Sequence, residues 1–325
     1  MNFQGLSKIE ESSFYIDVAI KAAQKKSGEL RAKGKATRSP EEKLKKSIKI
    51  ELVKLETIES TISKHLMRIL TSFPSLETLP EFYQELIKIN TDYVYIKRSL
   101  GGVNWAVKKL KELTNEYKRK IRSAKQVSHA NNLRKEYYGR AFSFVKQIKK
   151  ELVFLDESRK LLRNFPSIKT SIFTVCLVGF PNVGKSTLLS KVTPATPEIK
   201  DYAFTTKKLN LGYLKTETKK IQFIDTPGTL ARFDKMNPIE QTAFLAMKYC
   251  ANLIVYIYDL GETSYPLSDQ KKLFKKIKEL DKEIIIYLSK TDIIDKDIVE
   301  EFRKKVKCVS DWEELKEILL KRVKV

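Results

Sequence analysis

The chain of 325 residues is long enough to form two domains with separate hydrophobic cores. Its hydrophobic content of 42% and charged content of 32% exclude a disordered chain and are typical of a globular protein. The formal net charge is +23, and most of the excess lies in residues 1–170, with 36 basic and 19 acidic residues against 27 and 21 in the remainder. The first half of the chain is therefore expected to face a polyanion.

Membrane insertion and secretion are not expected. No apolar run approaches the roughly 18 residues of a transmembrane helix, and the N-terminus lacks the charged-then-apolar layout of a signal peptide. The three cysteines, Cys176, Cys250 and Cys308, are odd in number and have no metal-type spacing, which is typical of reduced thiols. We predict a cytoplasmic, monomeric protein with no membrane partner.

A long amphipathic helix is predicted from residue 40 onward. Ser39 can act as the N-cap, Pro40 suits the first helical position, and Glu42 completes a capping box. Phe73-Pro74 is expected to end the helix, because proline cannot continue it. The predicted apolar stripe, with spacings of three and four, is Leu44, Ile48, Leu52, Leu55, Ile58, Ile62, Leu66 and Ile69.

Three further segments have helical periodicity, at residues 80–88, 105–124 and 131–164. In the second of these, the residues predicted to share an apolar face are Trp105, Leu110, Leu113, Tyr117 and Ile121. With the long helix, these segments predict a helical bundle.

Basic residues crowd the stretch 107–150, which holds 14 lysines and arginines but only three acidic residues, Glu112, Glu116 and Glu136. A solvated face normally mixes both signs, whereas a one-sided excess is typical of a surface that binds a polyanion. We interpret the stretch as a contact surface for RNA, with an acidic protein as the alternative partner.

The pattern changes at Phe165-Pro166-Ser167, where proline halts the preceding helix. We therefore predict a basic helical domain at 1–165 and a second domain at 166–325. Strand-like runs in the second domain lie at 172–178, 209–214, 220–225, 252–259 and 283–288. Helical segments separate the later strands, so the fold class is a helical bundle followed by a mainly parallel α/β sheet.

The stretch Gly179 to Thr187, GFPNVGKST, fits the phosphate-binding template G-x-x-x-x-G-K-[ST]. An apolar strand-like run precedes it and a helical pattern follows, which disfavours an incidental glycine turn. Gly179 and Gly184 let the backbone N–H groups wrap closely around phosphates. Lys185 is predicted to reach the β and γ phosphates, and the Ser186 hydroxyl to bind Mg²⁺.

Two further elements suit a nucleoside triphosphate. Asp225, in Asp225-Thr226-Pro227-Gly228, ends a strand and can hold Mg²⁺ through water, while the N–H of Gly228 can sense a γ-phosphate. Between this element and the phosphate loop, a hydroxyl of the Thr205-Thr206 pair can complete the Mg²⁺ shell when a γ-phosphate is present.

Base choice depends on Ser289-Lys290-Thr291-Asp292. The Asp292 carboxylate can accept hydrogen bonds from N1 and the exocyclic amino group of guanine, whereas adenine has no proton on N1. The stem of Lys290 can cover the base. Backbone N–H groups near Ser310 and Asp311 can donate to the guanine oxygen.

The chain resembles the nucleolar GTP-binding protein (Nog) family of Obg-type GTPases along nearly its whole length. The resemblance is carried by GFPNVGKSTLLSKVT, YAFTTKKLNLGYL, DTPG and SKTD in the second domain, by FPSLETLPEFYQELIKI in the helical part and by the junction FPSIKTSIFTVCLVG. It implies a GTPase that acts in assembly of the large ribosomal subunit, with the helical domain on ribosomal RNA. It also implies that Thr206, rather than Thr205, meets Mg²⁺, and that the longer members' extension is absent here.

Taken together, motifs and resemblance predict a site for GTP and GDP with Lys185, Thr206 and Gly228 as catalytic residues and Ser186, Thr206 and Asp225 around Mg²⁺. The predicted GTP contacts are Gly179, Asn182, Val183, Gly184, Lys185, Ser186, Thr187, Phe204, Thr205, Thr206, Asp225, Gly228, Ser289, Lys290, Asp292, Ser310 and Asp311.

Three positions refine this expectation. Ser289 stands where the family's NKxD motif has asparagine, which predicts weaker guanine affinity. Thr229 stands where Ras-like GTPases place a water-orienting glutamine, so intrinsic hydrolysis is expected to be slow. Asn182 resembles the phosphate-loop asparagine of potassium-activated GTPases, which makes K⁺ a candidate cofactor.

Other functional classes remain as alternatives. An RNA-binding scaffold that binds GTP with little turnover is favoured by Thr229 and Ser289 but not by the complete set of phosphate and Mg²⁺ residues. A trafficking or signalling GTPase is disfavoured because the sequence shows no lipidation motif or amphipathic anchor. An ATP-using kinase would have no need of Asp292.

Overall fold

The computed structural model describes residues 3–32, 39–193, 198–200, 209–216, 218, 220–228 and 236–323, with the backbone alone at 198–200 and 209. The chain divides into two compact units. The helical unit comprises Phe3–Thr78 and Thr91–Arg163, and the sheet unit comprises Leu79–Asn90 and the chain from Asn164 onward. The division is thus discontinuous in sequence, because one short segment between two long helices belongs to the sheet unit.

Among the described residues before the sheet, the helices are α1 (Ser12–Ala32), α2 (Pro40–Ser72), α3 (Glu81–Asn90), α4 (Tyr93–Arg122), α5 (Val127–Gln147) and α6 (Lys149–Arg163), with short 3₁₀ turns at Phe3–Gly5 and Leu76–Thr78. The predicted start of α2 is confirmed. The Ser39 hydroxyl accepts a hydrogen bond from the Glu42 backbone N–H, the Glu42 carboxylate accepts one from the Ser39 N–H, and Pro40 begins the helix. Phe73 caps the other end, as predicted.

The core of the helical unit forms around α2, which packs against α1, α4 and α5. The predicted stripe is fully buried from Leu55 to Ile69, whereas its first members, Leu44 to Leu52, are half-buried. None of the described helices is both long and apolar enough to cross a bilayer.

Two helix predictions need correction. The helix predicted near residue 105 begins at Tyr93, where the Asp92 side chain accepts the Tyr95 N–H at 2.8 Å. Trp105, predicted to face the core, is 38% exposed, because Val103 and Ala106 take the buried positions of that turn. The single helix predicted at 131–164 is two helices, because the backbone leaves helical geometry at the buried residue Ile148.

The sheet unit contains a six-stranded sheet in its described part: β1 (Phe173–Val178), β2 (Glu198–Lys200), β3 (Leu209–Lys215), β4 (Lys220–Asp225), β5 (Leu253–Tyr258) and β6 (Glu283–Leu288). The strand order is β2-β3-β4-β1-β5-β6. The pairs among β4, β1, β5 and β6 are parallel, and β2-β3 and β3-β4 are antiparallel. The prediction of a mainly parallel sheet is therefore confirmed, and the carboxyl ends of β1, β4, β5 and β6 lie along one edge.

The helices of this unit that follow β1 are α7 (Lys185–Val192), α8 (Pro238–Tyr249), α9 (Leu267–Lys278), α10 (Lys296–Lys305) and α11 (Trp312–Arg322). The segment just before Ser310 pairs with β6 through one isolated parallel bridge, between Tyr287 and Val309. Hydrogen bonds from Leu288 N to Val309 O and from Val309 N to Ile286 O nevertheless hold that segment beside β6.

Helix α3 was expected in the helical domain, but in the structure it packs against α8. Its side chains Phe82, Tyr83, Leu86 and Ile87 are buried. The Tyr83 hydroxyl lies 2.9 Å from both the Pro166 and Ile168 carbonyl oxygens, on the segment that leads into β1. The sequence could not reveal this placement, since the partners are more than 80 residues away. A functional division at residues 165 and 166 stays a prediction.

Substituting Tyr83→Phe is expected to lower the free energy of unfolding of the sheet unit by about 1–3 kcal/mol, because two carbonyl groups lose a buried donor. The chain has two tryptophans, so a Trp105→Phe background leaves Trp312 in α11 as a fluorescent reporter of this unit during urea unfolding. Tyr95→Phe is the matched control, because no described group hydrogen-bonds its hydroxyl. Equal free energies of unfolding for the two variants would contradict a stabilising role of the Tyr83 hydroxyl.

Candidate nucleotide-binding site

The predicted phosphate loop connects β1, which ends at Val178, to α7, which begins at Lys185. Two residues of this loop have positive φ, Asn182 at 63° and Gly184 at 95°. Glycine adopts this conformation without a Cβ penalty, and asparagine tolerates it better than most residues. Among the described residues, no acceptor takes the backbone N–H groups of Asn182, Val183 or Gly184. The loop therefore presents free N–H donors beside a helix N-terminus, which is an anion-binding arrangement.

Two glycines, Gly179 and Gly228, allow the backbone of the phosphate loop to lie close to neighbouring backbone. A Cβ on Gly179 would lie 2.7 Å from the Ile257 carbonyl oxygen of β5. A Cβ on Gly228 would lie 2.2 Å from the Pro181 backbone nitrogen. The predicted γ-phosphate-sensing residue thus lies directly against the phosphate loop.

Lys185 is 7% exposed, and its ammonium group donates to the Phe180 carbonyl oxygen at 2.6 Å. Burial lowers the pKa of Lys185 to about 8, against the opposing effect of the Asp225 charge. The ammonium is therefore held inside the loop, where a phosphate could exchange for the carbonyl as its partner.

The two described residues predicted to hold Mg²⁺ are in direct contact. The Ser186 hydroxyl donates to Asp225 Oδ2 at 2.7 Å. Asp225 Oδ1 is buried and has no hydrogen-bond donor among the described residues. A hydroxyl beside a carboxylate with an unused oxygen fits a hard cation that prefers oxygen ligands. No cluster of three or more His, Cys, Asp or Glu residues occurs in the described ranges.

The sequence analysis missed Asn210, whose amide donates to Asp225 Oδ2 at 3.1 Å. Asn210 lies in β3 directly opposite Asp225 of the antiparallel neighbour β4. The sequence does show a polar residue, Asn210, in a predicted strand close to Asp225. Only the pairing register of β3 and β4 shows that the two residues lie opposite each other. Asn210 and Ser186 thus bond the same oxygen of Asp225 and together orient the carboxylate.

A cavity of about 570 Å³ joins the phosphate loop to the predicted base-recognition segment. The side chains and backbone that line it are those of Asn182, Gly184, Lys185, Ser186, Thr187, Leu188, Lys191, Tyr287, Ser289, Lys290 and Asp292. Phosphate-binding and base-binding candidates thus share one concave surface. Such a volume lies in the usual range for ligand sites.

At the base end, Ser289 is buried and its hydroxyl donates to the Tyr258 carbonyl oxygen at 3.0 Å. Ser289 therefore connects β6 to β5 and lies next to Gly184, where an added Cβ would be 3.6 Å from the Ser289 Cβ. Asp292 is exposed at the cavity wall. Its carboxylate is free of described ion pairs and is available to a ligand.

Lys290 is held by two residues that the sequence analysis did not identify, Asp259 and Thr263. The Lys290 ammonium lies 2.9 Å from Asp259 Oδ2 and 2.5 Å from the Thr263 hydroxyl, which itself donates to Asp259. Burial raises the pKa of Asp259, but hydrogen bonds from Thr263 and Lys290 outweigh it and hold this pKa below its usual value. The charged form of Asp259 is thus favoured, and its carboxylate holds the Lys290 ammonium beside the cavity.

The remaining predicted contacts divide into two groups. Ser310 and Asp311 follow the bridge to β6, so they lie at the same edge as Ser289. The Asp311 side chain caps α11 by accepting the Glu314 N–H at 3.1 Å, and the Ser310 hydroxyl accepts a bond from Arg303. Their side chains are therefore occupied, which leaves the predicted role to their backbone. Phe204, Thr205, Thr206 and Thr229 lie outside the described residues.

This sheet topology, with a phosphate loop after β1, Asp225 at the end of β4 and Asp292 after β6, defines a P-loop GTPase domain. The family profile described as "50S ribosome-binding GTPase" matches residues 174–292. The profile described as "NOG1 N-terminal helical domain" matches residues 3–169, half of the chain. The chain therefore belongs to the NOG1 family of GTP-binding proteins.

Individual relatives agree with this assignment. An uncharacterized protein of Methanocaldococcus jannaschii is 41% identical over 253 residues, which cover 77% of this chain and 71% of that protein. The nucleolar GTP-binding protein 1 of Eremothecium gossypii is 30% identical over 318 residues, 96% of this chain and 48% of that protein. The chain spans between 36% and 55% of the length of seven nucleolar GTP-binding proteins that it matches.

Among solved structures, nucleolar GTP-binding protein 1 of Plasmodium falciparum is similar over 45% of this chain and 78% of that chain, with 31% identity and a TM-score of 0.36.

The predicted cytoplasmic location is wrong on these comparisons, because the eukaryotic relatives, those of Eremothecium gossypii and Arabidopsis thaliana among them, are named nucleolar. The prediction relied on reduced thiols and on the lack of a signal layout. Those features do not distinguish a cytoplasmic protein from a nucleolar one.

The buried ammonium of Lys185 predicts a pH dependence of nucleotide affinity. With its pKa at about 8, Lys185 loses its proton as the pH rises through that value, and the anionic phosphates attract only the charged form. GDP affinity is expected to be constant near pH 7 and to fall above about pH 8, by at most about tenfold per pH unit for one proton. Calorimetry in two buffers of different ionisation enthalpy measures both the affinity and the proton taken up.

The control for this prediction is Lys185→Ala, which is expected to lose nucleotide binding at every pH, whereas Lys272→Ala on exposed α9 retains it. GDP affinity that stays flat across this pH range, or normal GTP binding by Lys185→Ala, would refute the role of Lys185.

Substituting Asp292→Asn is expected to weaken GTP binding by about 100-fold or more, because two hydrogen bonds to a charged acceptor are lost. The amide of the asparagine offers a donor that matches the C2 oxygen of xanthine, so affinity for xanthosine triphosphate is expected to rise. Competition against a fluorescent nucleotide measures both. Asp297→Asn in α10 is the control, and equal GTP affinity of the two variants would exclude Asp292 from base recognition.

Proposed function

We propose that the protein hydrolyses Mg²⁺·GTP to GDP and phosphate and acts in large ribosomal subunit biogenesis through binding to ribosomal RNA. The observation that carries this proposal is the contact between Ser186 and Asp225, at 2.7 Å, in a loop that also buries Lys185. These groups supply a cation site and a fixed positive charge at the phosphate end of one cavity.

Each residue has a separate task in the proposed reaction. Lys185 neutralises charge on the β and γ phosphates, and the loop N–H groups at residues 182–184 hold the phosphate chain in place. Gly228 offers its N–H to the γ-phosphate from the turn against Pro181. The Mg²⁺ that Ser186, Asp225 and Thr206 would hold stabilises the charge that develops on the leaving phosphate oxygens.

Slow intrinsic hydrolysis is part of the proposal. Thr229 has no carboxamide with which to orient the attacking water, and no arginine finger is assigned to the site. An activator, such as the assembling particle, would then supply the missing positioning.

The ribosomal part of the proposal is supported by three observations. The family profiles carry the words NOG1 and 50S ribosome-binding. The helical unit holds most of the chain's basic excess. Within its stretch 107–150, Glu112, Glu116 and Glu136 pair with Lys109, Lys120 and Arg140. Exposed cations that make no ion pair with any described residue include Lys108, Lys111, Arg119, Arg122, Lys125 and Lys135. Charges left uncompensated in this way suit phosphate contacts.

A GTP-binding scaffold with little turnover is the second candidate, and the geometry of Ser289 favours it. Its hydroxyl is bound to the Tyr258 carbonyl oxygen, so it offers no further donor to a base or to the phosphate loop. Nucleotide exchange would then be fast and turnover low.

Potassium is the remaining proposed cofactor, through Asn182. Asn182 is exposed at the cavity and held with φ of 63°, so its amide oxygen is free to join a K⁺ shell near the phosphates. A bound K⁺ would supply the positive charge that other GTPases take from an arginine.

GTP turnover by the purified protein is expected to rise when isolated large ribosomal subunits are added, and to be faster in K⁺ than in Na⁺. Single-turnover phosphate release measures the chemical step separately from exchange. Addition of small subunits is the matched control, and Asp225→Asn, which weakens the cation site, is expected to be inactive in all conditions.

Bound but uncleaved GTP with and without large subunits would favour the scaffold over the GTPase. Equal stimulation by both subunits would argue against a specific large-subunit role. Equal rates in Na⁺ and K⁺ would exclude the role of Asn182 in potassium activation.

A further inference from the structure

The outward face of α4 carries an exposed aromatic side chain, Trp105. The large aromatic residues Tyr117 and Tyr137 are fully buried, but Trp105 is 38% exposed. Its ring meets Phe144 of α5 edge-on, with centroids 5.6 Å apart and an interplanar angle of 75°. Phe144 therefore supports the indole from one side, while the rest of the ring remains accessible.

Uncompensated cations flank this ring. Arg98 and Lys108 lie seven residues before and three residues after Trp105, on the same helix face. Both are exposed, and neither forms an ion pair with a residue that the structure describes. The nearby Lys97 and Lys109, by contrast, pair with Glu77 and Glu112. Because helical side chains lean toward the N-terminus, Lys108 extends back over the turn that holds Trp105.

Gly101 lies on the same face, one turn before Trp105. An added Cβ there would meet no atom within 4 Å, so no packing contact in the structure requires glycine. Glycine inside a helix is destabilising relative to alanine. The backbone is thus bare beside the indole, and a partner can approach it closely.

We propose that this face, formed by Arg98, Gly101, Trp105 and Lys108 and here named the α4 outer face, binds unpaired RNA. The proposal rests on the proposed ribosomal function and specifies one contact surface for it. A base stacks on Trp105, the neighbouring phosphates pair with Arg98 and Lys108, and the sugar-phosphate chain passes over Gly101. Arg98 and Lys108 are about 15 Å apart along the helix, so they engage different phosphates.

Charge and shape favour RNA over an acidic protein as the occupant. An exposed aromatic ring between cations is the arrangement that single-stranded nucleic acid binds, since every base offers a face for stacking. An acidic protein would also pair with Arg98 and Lys108 through its carboxylates. Its carboxylates would make no use of the exposed indole of Trp105, whereas the bases of RNA would stack on it.

The test uses the full chain and a single-stranded RNA oligonucleotide, with the duplex of the same sequence as a second probe. Trp105→Ala is expected to weaken single-strand binding by about 5- to 150-fold, the range for loss of one stacked base. Trp105→Phe should restore most of the affinity. Phe14→Ala is the matched control, because Phe14 is similarly exposed on α1 of the same unit.

Salt dependence tests the cations separately. Lys108→Ala is expected to reduce the slope of log affinity against log salt by about 0.7, the value for one phosphate contact on a single strand. Lys64→Ala, which removes an exposed lysine from α2, should leave the slope unchanged. In a Trp312→Phe background, the emission of Trp105 should be quenched when RNA binds.

Gly101→Ala separates binding from folding. It is expected to raise the melting temperature by a few degrees and yet to weaken RNA binding, because the added methyl group lies under the RNA backbone. A variant that is more stable but binds less tightly cannot be explained by misfolding.

The inference is overturned if Trp105→Ala binds RNA as well as Phe14→Ala does, or if Lys108→Ala and Lys64→Ala have equal slopes. It is also overturned if polyglutamate binding, rather than RNA binding, depends on Trp105, which would indicate a protein partner. If wild-type protein binds large subunits and these variants do so equally well, this face is excluded but the proposed function stands. If wild-type protein binds neither subunits nor RNA, the proposed function fails as well.

Discussion

Strands β1 and β4 pair in parallel, and this pairing brings the phosphate loop and the turn after Asp225 into backbone contact. The register sets Leu177 opposite Asp225, and the Thr226 N–H and hydroxyl both donate to the Leu177 carbonyl oxygen. Gly228 then lies against Pro181 with no room for a side chain. The residues proposed to hold the cation and to sense the γ-phosphate are therefore positioned relative to each other by a single strand pair.

The base end of the cavity is fixed differently, by side chains. Ser289 and Lys290 both contact groups at the end of β5, through the Tyr258 carbonyl oxygen and the Asp259 carboxylate. Gln270 of α9 holds the same strand end, since its amide bonds both the N–H and the carbonyl oxygen of Asp259.

The local parts of this structure could be predicted from the sequence. The capping box at Ser39, the strands β1, β3, β4, β5 and β6 and the phosphate loop depend on neighbouring residues, and each was found where the pattern indicated. The three-residue strand β2 was not predicted. The contact of Asn210 with Asp225 and that of Asp259 with Lys290 could not be predicted, because they arise from pairing between strands that are distant in sequence. Trp105 was misassigned because helical periodicity marks an apolar stripe but does not show which edge of it meets a neighbour.

The order in which the chain is synthesised has a consequence for the packing of helix α3. Its buried residues, among them Phe82 and Tyr83, are synthesised long before their partners in α8. At roughly 5–20 residues per second, the ribosome needs many seconds to make the chain between α3 and α8, and during that time α3 lacks the helix against which it packs in the structure. The nascent chain therefore passes through a stage in which all of the helical unit has been made but the packing of α3 is incomplete.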